Sequence, residues 1–320
     1  MRKLFICLLL ALPITMWADV TVTISDGIDN ETLKSKMEAG MSALLTEINN
    51  AQAEGRALNF APLGLDPSVQ ISLSMLWENS PFLCTDEKIT ERGLTTPSGY
   101  QVRNIPLLMK PKANRNFNET EYQEAVISFD KKGNIESFYL SLSMNLYMSV
   151  IKENKEITDL RRRQLILDYV ERFRTAYNTK DIEFLEQVFS DDALIITGKV
   201  ISQKKNDIKL PDKIVYTKQT KTEYLGRLRQ VFKKNSYIKV TFDEIKVMRH
   251  PSKKFTDFYG VTLHQGYTSS SYHDDGYLFL LWDFRDEEHP IIHVRTWQPD
   301  AINGERLPED EVFSIYDFEI

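Results

Sequence analysis

Hydrophobic and polar positions alternate along this chain in two different periods, and the change from one to the other outlines its elements. After a Val/Thr alternation at Val20 to Ile24, Leu33, Met37, Met41, Leu44, Leu45 and Ile48 recur every three or four residues. That spacing describes one apolar face of a helix over residues 30 to 54, with Asn30 as N-cap and Gly55 as stop. The shorter apolar segment Val69 to Trp77 fits a strand or a helix equally well. From Tyr100 the runs Gln101 to Met109, Tyr122 to Asp130 and Ile135 to Ser143 are short and rich in Val, Ile, Phe and Tyr, as strands are. Gly133 and Asn134 supply the turn that makes the last two a hairpin.

Charge rises at Lys152 to Glu156, and a second amphipathic helix begins near Thr158 or Asp159. The pattern therefore divides the chain into an N-terminal α+β part, 19–155, and a C-terminal part, 156–320. In the latter it predicts helices at Asp159 to Asn178 and Lys180 to Phe189, a strand at Ala193 to Thr197, a lysine-rich connection to about residue 218, and a helix at Thr220 to Phe232. Four strands follow: Tyr237 to Arg249, Phe258 to Tyr267, Gly276 to Phe284 and Ile291 to Gln298. The helix face of Ile166, Val170, Phe173 and Tyr177 needs a sheet to cover, and these strands provide a curved antiparallel one. Arg161, Arg162 and Arg163 are interspersed with Asp159, Asp168 and Glu171, which marks a solvated face rather than a phosphate patch.

Composition narrows the function classes. The chain has 320 residues, 42% hydrophobic and 27% charged, with 40 Lys plus Arg against 46 Asp plus Glu. A net charge of −6 leaves no basic excess for a nucleic-acid backbone. At the N-terminus Arg2 and Lys3 precede the apolar run Leu4 to Trp17, closed by Ala18 before Asp19. The run is shorter than the roughly 20 residues of a membrane-spanning helix, so residues 1–18 read as a cleaved export signal, cut after Ala18. The expected address is periplasmic or secreted, with no transmembrane span after signal removal. Export leaves Cys84 alone, without an internal disulfide partner and distant in sequence from every histidine, so it reads as a small buried hydrophobe.

Tyr169-Val170-Glu171-Arg172-Phe173 and Ala176-Tyr177-Asn178-Thr179-Lys180-Asp181, followed by Phe184-Leu185 and Phe189-Ser190-Asp191-Asp192-Ala193, resemble the opening of the nuclear-transport-factor-2-like (SnoaL-like, cystatin-like) superfamily. The resemblance covers residues 159 to 300. It implies a cone-shaped α+β half-barrel, helices packed on a curved antiparallel sheet, with a pocket between the layers and dimerisation through the cone sheet. The N-terminal half is read either as a diverged second cone or as a different, smaller α+β domain. The superfamily includes isomerases, dehydratases, cyclases and hydrolases beside members without chemistry, so the fold does not select among them.

Residue chemistry supplies the candidates. Asp283 and His264 are the expected general bases, being titratable groups within apolar strands. Tyr177, Tyr267, Trp282, His293, Arg295 and Trp297 are the expected ligand-binding wall. Strict alternation puts His293, Arg295 and Trp297 on one side of the last strand, and whether Asp283 meets His293 depends on register. His273, Asp274 and Asp275 read as a hairpin tip, not a metal site. No phosphate loop, nucleophile elbow or helical metal motif occurs, so no cofactor is expected. Three readings stay open: an exported protein whose cone binds a small apolar molecule or a protein partner, a cofactor-independent lyase, isomerase or hydrolase, and a structural envelope-associated module.

Overall fold

The computed structural model describes residues 19–96, 98–109, 121–142, 146–147, 149–153, 160–205 and 208–318. The predicted signal, 1–18, and the predicted boundary between residues 155 and 156 lie outside these residues.

The N-terminal part begins with β1 (Thr21–Ile24) and α1 (Glu31–Glu54), whose cap is the Asn30 side chain accepting from Leu33 N–H and whose stop is Gly55 at φ 63°. Val69 to Trp77 forms a helix, α2 (Pro67–Asn79): Asp66 caps it and Pro67 occupies its first turn, a start signal that decides between the two periodicities. A five-stranded sheet of β2 (Phe82–Cys84), β4 (Gly93–Thr95), β5 (Gly99–Met109), β6 (Glu121–Asp130) and β7 (Ile135–Leu140) lies against the helices, while β3 (Lys88–Glu91) pairs in parallel with β1. At the β6–β7 turn, Gly133 sits at φ 75° with Leu33 and Met37 so close that a Cβ would meet Leu33 Cδ1 at 2.6 Å.

The C-terminal part opens with α3 (Leu160–Thr179) and α4 (Ile182–Val188), then a long ribbon of β8 (Phe189–Lys205) and β9 (Ile208–Gln219), then α5 (Lys221–Lys234), capped by a reciprocal Thr220–Glu223 box. The lysine-rich stretch expected as a connection is thus a pair of strands. Lysine's long aliphatic stem is compatible with an exposed strand, and the β-branched and aromatic run Ile214-Val215-Tyr216-Thr217 carries the β propensity through it. Next come β10 (Ile238–Arg249), β11 (Phe258–Ser269), β12 (His273–Asp283) and β13 (Ile291–Pro299), with a small hairpin of β14 (Ala301–Ile302) and β15 (Glu305–Arg306). The six-stranded sheet runs β10-β11-β12-β13-β8-β9, antiparallel except where β13 meets β8 in parallel.

Buried apolar side chains form one cluster in the N-terminal part and a second between α3, α5 and the inner face of the large sheet. The outer face of the large sheet has its own cover, because Phe313, Ile315 and Phe318 of the C-terminal segment pack on Phe279, Leu281 and Val294. Helix α3 serves both halves. Toward the N-terminal sheet it presents Asp168, Glu171 and Thr175, which bind Gln101, Arg103 and the N–H groups of Leu140 and Leu142. Toward the cone it presents Ile166, Val170, Phe173 and Tyr177. Cys84 is buried, and burial pushes its thiol up to about 11. No helix among the described residues is long and apolar enough to cross a membrane.

Candidate functional site

Register decides which side chains enter the cone. On β12 and β13 the pairs Leu280↔Arg295 and Leu278↔Trp297 share the inner face, and Val261, Leu263 and Tyr267 of β11 lie on that same face. Opposite Leu281 and Trp282 the ladder shifts: Leu281 pairs with Val294 and Trp282 with Ile292, leaving His293 as an extra residue. This β-bulge breaks the alternation expected for the last strand, so His293 and Arg295 do not share a side. Arg295 points into the cone and His293 out of it.

The bulge places His293 beside Asp283, with His293 Nε2 3.3 Å from Asp283 Oδ2. Their meeting is on the outer face. Asp283 also accepts from Arg285 Nη2 at 2.6 Å and from Arg285 N–H at 2.9 Å, and the His293 ring stacks on Phe258. Burial works against ionising Asp283, but the Arg285 side chain and N–H, with His293, outweigh it and hold the carboxyl below its ordinary value. A carboxylate so held is a poor base at neutral pH. His264 is likewise outside the cone, between Asp243 (2.8 Å from Nδ1) and Asp300 (3.4 Å from Nε2). The structure therefore puts neither Asp283 nor His264 where an in-cone base would stand.

Of the expected binding wall, Trp282 is fully buried at the deep end of the cone, in contact with Phe173 and Phe284. It is core. Elsewhere in the cone, the Tyr177 hydroxyl lies 2.5 Å from that of Tyr224 on α5, and the Arg295 guanidinium sits 4.8 Å over the Tyr224 ring. Burial, and next the neighbouring Tyr224, raise Tyr177 well above the ordinary tyrosine range, with Arg295 pulling the other way. Tyr267 packs against the same cluster, and burial pushes its hydroxyl up to about 12.

Arg295 is 6% exposed, its Nε and Nη1 hydrogens have no hydrogen-bond partner among the described residues, and no carboxylate there lies within ion-pair distance. A buried guanidinium with a phenol ring and two hydroxyls for company, but no counter-charge, is a costly arrangement.

Two members of this cluster were not anticipated. Tyr224 continues the α5 face of Leu225, Leu228 and Phe232, and its apolar neighbours were the signal available. Asp274 is on strand β12, not at a loop tip, and pairs with Tyr267 across β11 on the inner face. Burial raises its carboxyl, against the opposing Tyr272 hydroxyl 2.5 Å away. A separate cleft of about 720 Å³ lies between the two halves, lined in part by Gln101, Lys132, Glu136, Arg161, Asp168 and Arg172, and so is polar and of mixed charge.

The family model of the Cds6 C-terminal NTF2-like domain matches residues 211–294, which take in most of β9, α5 and β10 to β12 and the start of β13. No protein of curated function matches the chain. Among solved structures the chain is similar to Bd1075 of Bdellovibrio bacteriovorus, at 14% identity over 65% of this chain and 78% of that one, with a TM-score of 0.33. An NTF2-like protein from Cytophaga hutchinsonii is 15% identical over 43% of this chain and 97% of its own, TM-score 0.28. The helical cell shape determining protein Pgp2 from Campylobacter jejuni is 13% identical over 43% of this chain and 41% of its own, TM-score 0.33. The C-terminal half resembles the NTF2-like superfamily in its curved sheet, its covering helices and its matching family model.

Proposed function

We propose that this is an exported binding protein whose C-terminal cone takes up, at its mouth, a small and largely apolar molecule carrying one anionic group. The observation that carries the reading is Arg295. A guanidinium held among aromatic rings with unpartnered donors at Nε and Nη1 offers charge-assisted hydrogen bonds to a carboxylate, in surroundings that strengthen the pairing. Trp282, Phe173 and Phe189 fill the space beneath it, which favours a ligand lying across Tyr177, Tyr224, Tyr267 and Trp297 over one threading the whole cone. Export rests on Arg2, Lys3 and the apolar run before Asp19, and protein recovered outside the cytoplasm of its host with Asp19 as first residue is the expected form.

The test is a titration of the full chain with phenylbutyrate and with the corresponding neutral amide. The carboxylate is expected to bind about tenfold more tightly, and Arg295→Gln to erase that preference. Equal binding of acid and amide to both proteins, or no binding of either, rejects the reading. A second reading, cofactor-independent proton transfer, rests on Asp274, an inner-face carboxyl opposite Tyr267 that burial raises above its ordinary value.

A further inference from the structure

The β8–β9 ribbon extends the inner face of the cone past Arg295 and Trp297, and its free edge has the properties of a peptide-docking strand. Strand β9 is the last of the sheet, and past Asp212, where the β14–β15 hairpin approaches it, no strand pairs with its outer edge among the described residues. Over Ile195 to Ile201 and Lys213 to Gln219 the ribbon carries three charged residues, Lys199, Lys213 and Lys218, all exposed, and no acid, within a chain of net charge −6. Lys199 pairs with Val215 and Ile201 with Lys213, so both lysines and the exposed Val215 lie on the inner side, in line with Thr197 and Trp297. Tyr216, 43% exposed, is on the other side.

The edge already shows the bonding a docked strand makes. At Asp212 the Asn303 side chain accepts from the backbone N–H at 2.8 Å and donates to the carbonyl at 3.3 Å, a side-chain amide standing where the next strand's peptide group would be. From Lys213 to Gln219 the ladder with β8 is regular, so alternate residues turn their backbone groups to the outer edge. We infer that β9, from Lys213 to Gln219, is a docking edge for an extended acidic segment of another protein, added as a seventh strand with its carboxylates on the inner side, against Lys199 and Lys213. A second copy of this chain fits less well. Antiparallel self-pairing about Val215 and Tyr216 sets Lys213 opposite Lys218 twice, like charge on like. An unpaired edge with exposed apolar residues and an excess of lysine suits strand addition by an acidic partner. The inference does not depend on the cone binding a small ligand.

The test uses the full chain and a labelled short peptide alternating glutamate with threonine, followed by fluorescence anisotropy. The expected result is saturable binding, about tenfold or more weaker for the same peptide with lysine in place of glutamate, and lost with a peptide N-methylated at alternate residues, which keeps its charges but cannot join a sheet. Charge reversal by K199E with K213E is expected to abolish binding, while R295Q leaves it intact. If that double variant does not fold, the three peptides on the unaltered protein still decide. No saturable binding at millimolar peptide, equal binding of the N-methylated peptide, or equal competition by heparin overturns the inference. So does a concentration-dependent dimer that the K199E and K213E changes alone remove.

Discussion

Arg103 and Glu171 face each other across the two halves of the molecule in a bidentate pair, Nη1 to Oε2 at 3.0 Å and Nη2 to Oε1 at 2.6 Å. Both side chains are buried, 6% and 0% exposed. Glu171 Oε1 also accepts from Leu142 N–H at 2.6 Å, and the Arg103 guanidinium lies 3.9 Å over the Tyr147 ring. The pair fixes α3, the helix that positions Tyr177 in the cone, against β5 of the N-terminal sheet. Removing one partner leaves the other charge buried and alone, which costs about 3–5 kcal/mol. Glu171→Gln and Arg103→Met are each expected to lower the unfolding free energy by that amount, read as a lower denaturation midpoint. The double variant is expected to be less destabilised than the sum of the two, a coupling that a double-mutant cycle in urea reads directly.

Arg295 is expected to respond in the opposite sense. Because no carboxylate offsets its burial, Arg295→Met, close in shape and uncharged, is expected to stabilise the ligand-free protein by an amount on the order of 1 kcal/mol, seen as a raised melting temperature. The same change is expected to remove the preference for carboxylate over amide in the titration above. A fall in melting temperature identifies Arg295 as a structural residue.

Asp283 gives a pH dependence without a binding phenotype. Its folded-state value is lowered by Arg285 and His293 against the opposing effect of burial, so the stabilisation is present above the ordinary aspartate value and is lost as pH falls through the folded value. Asp283→Asn is expected to flatten the loss of stability on acidification below about pH 4, seen as converging wild-type and variant melting curves. Because the residue is on the outer face, ligand binding in the cone is expected to stay unchanged in Asp283→Ala.

Cys84 makes the matching prediction at high pH. Burial raises its thiol from 9.0 to about 11, so its neutral form is favoured by folding and that contribution is lost as pH rises from about 9 through 11. The native protein is expected to resist alkylation by iodoacetamide at neutral pH and to react in urea. Rapid alkylation of the folded protein contradicts this burial.

The sequence was informative where local chemistry dominates. Asn30 and Gly55 bracket α1 because a cap and a left-handed stop are local events, and Gly133 with Asn134 locates the β6–β7 turn for the same reason. The lysines of β8 and β9 hid two strands, since charge weakens the apolar signal while leaving strand geometry unaffected. At the site, Tyr177, Tyr267, Arg295 and Trp297 were legible as polar and aromatic interruptions of apolar elements. Tyr224 and Asp274 were not, because one looked like core and the other like a turn.

What the sequence alone determined, then, is the alternation of helix and strand, the mixed α+β class and the pool of side chains able to bind or titrate, all consequences of short-range preference and periodicity. Which of those side chains face one another was decided only by tertiary structure. One extra residue at His293 turns Arg295 inward and carries His293 out to Asp283, and no local preference records on which strand, or at which residue, a ladder slips.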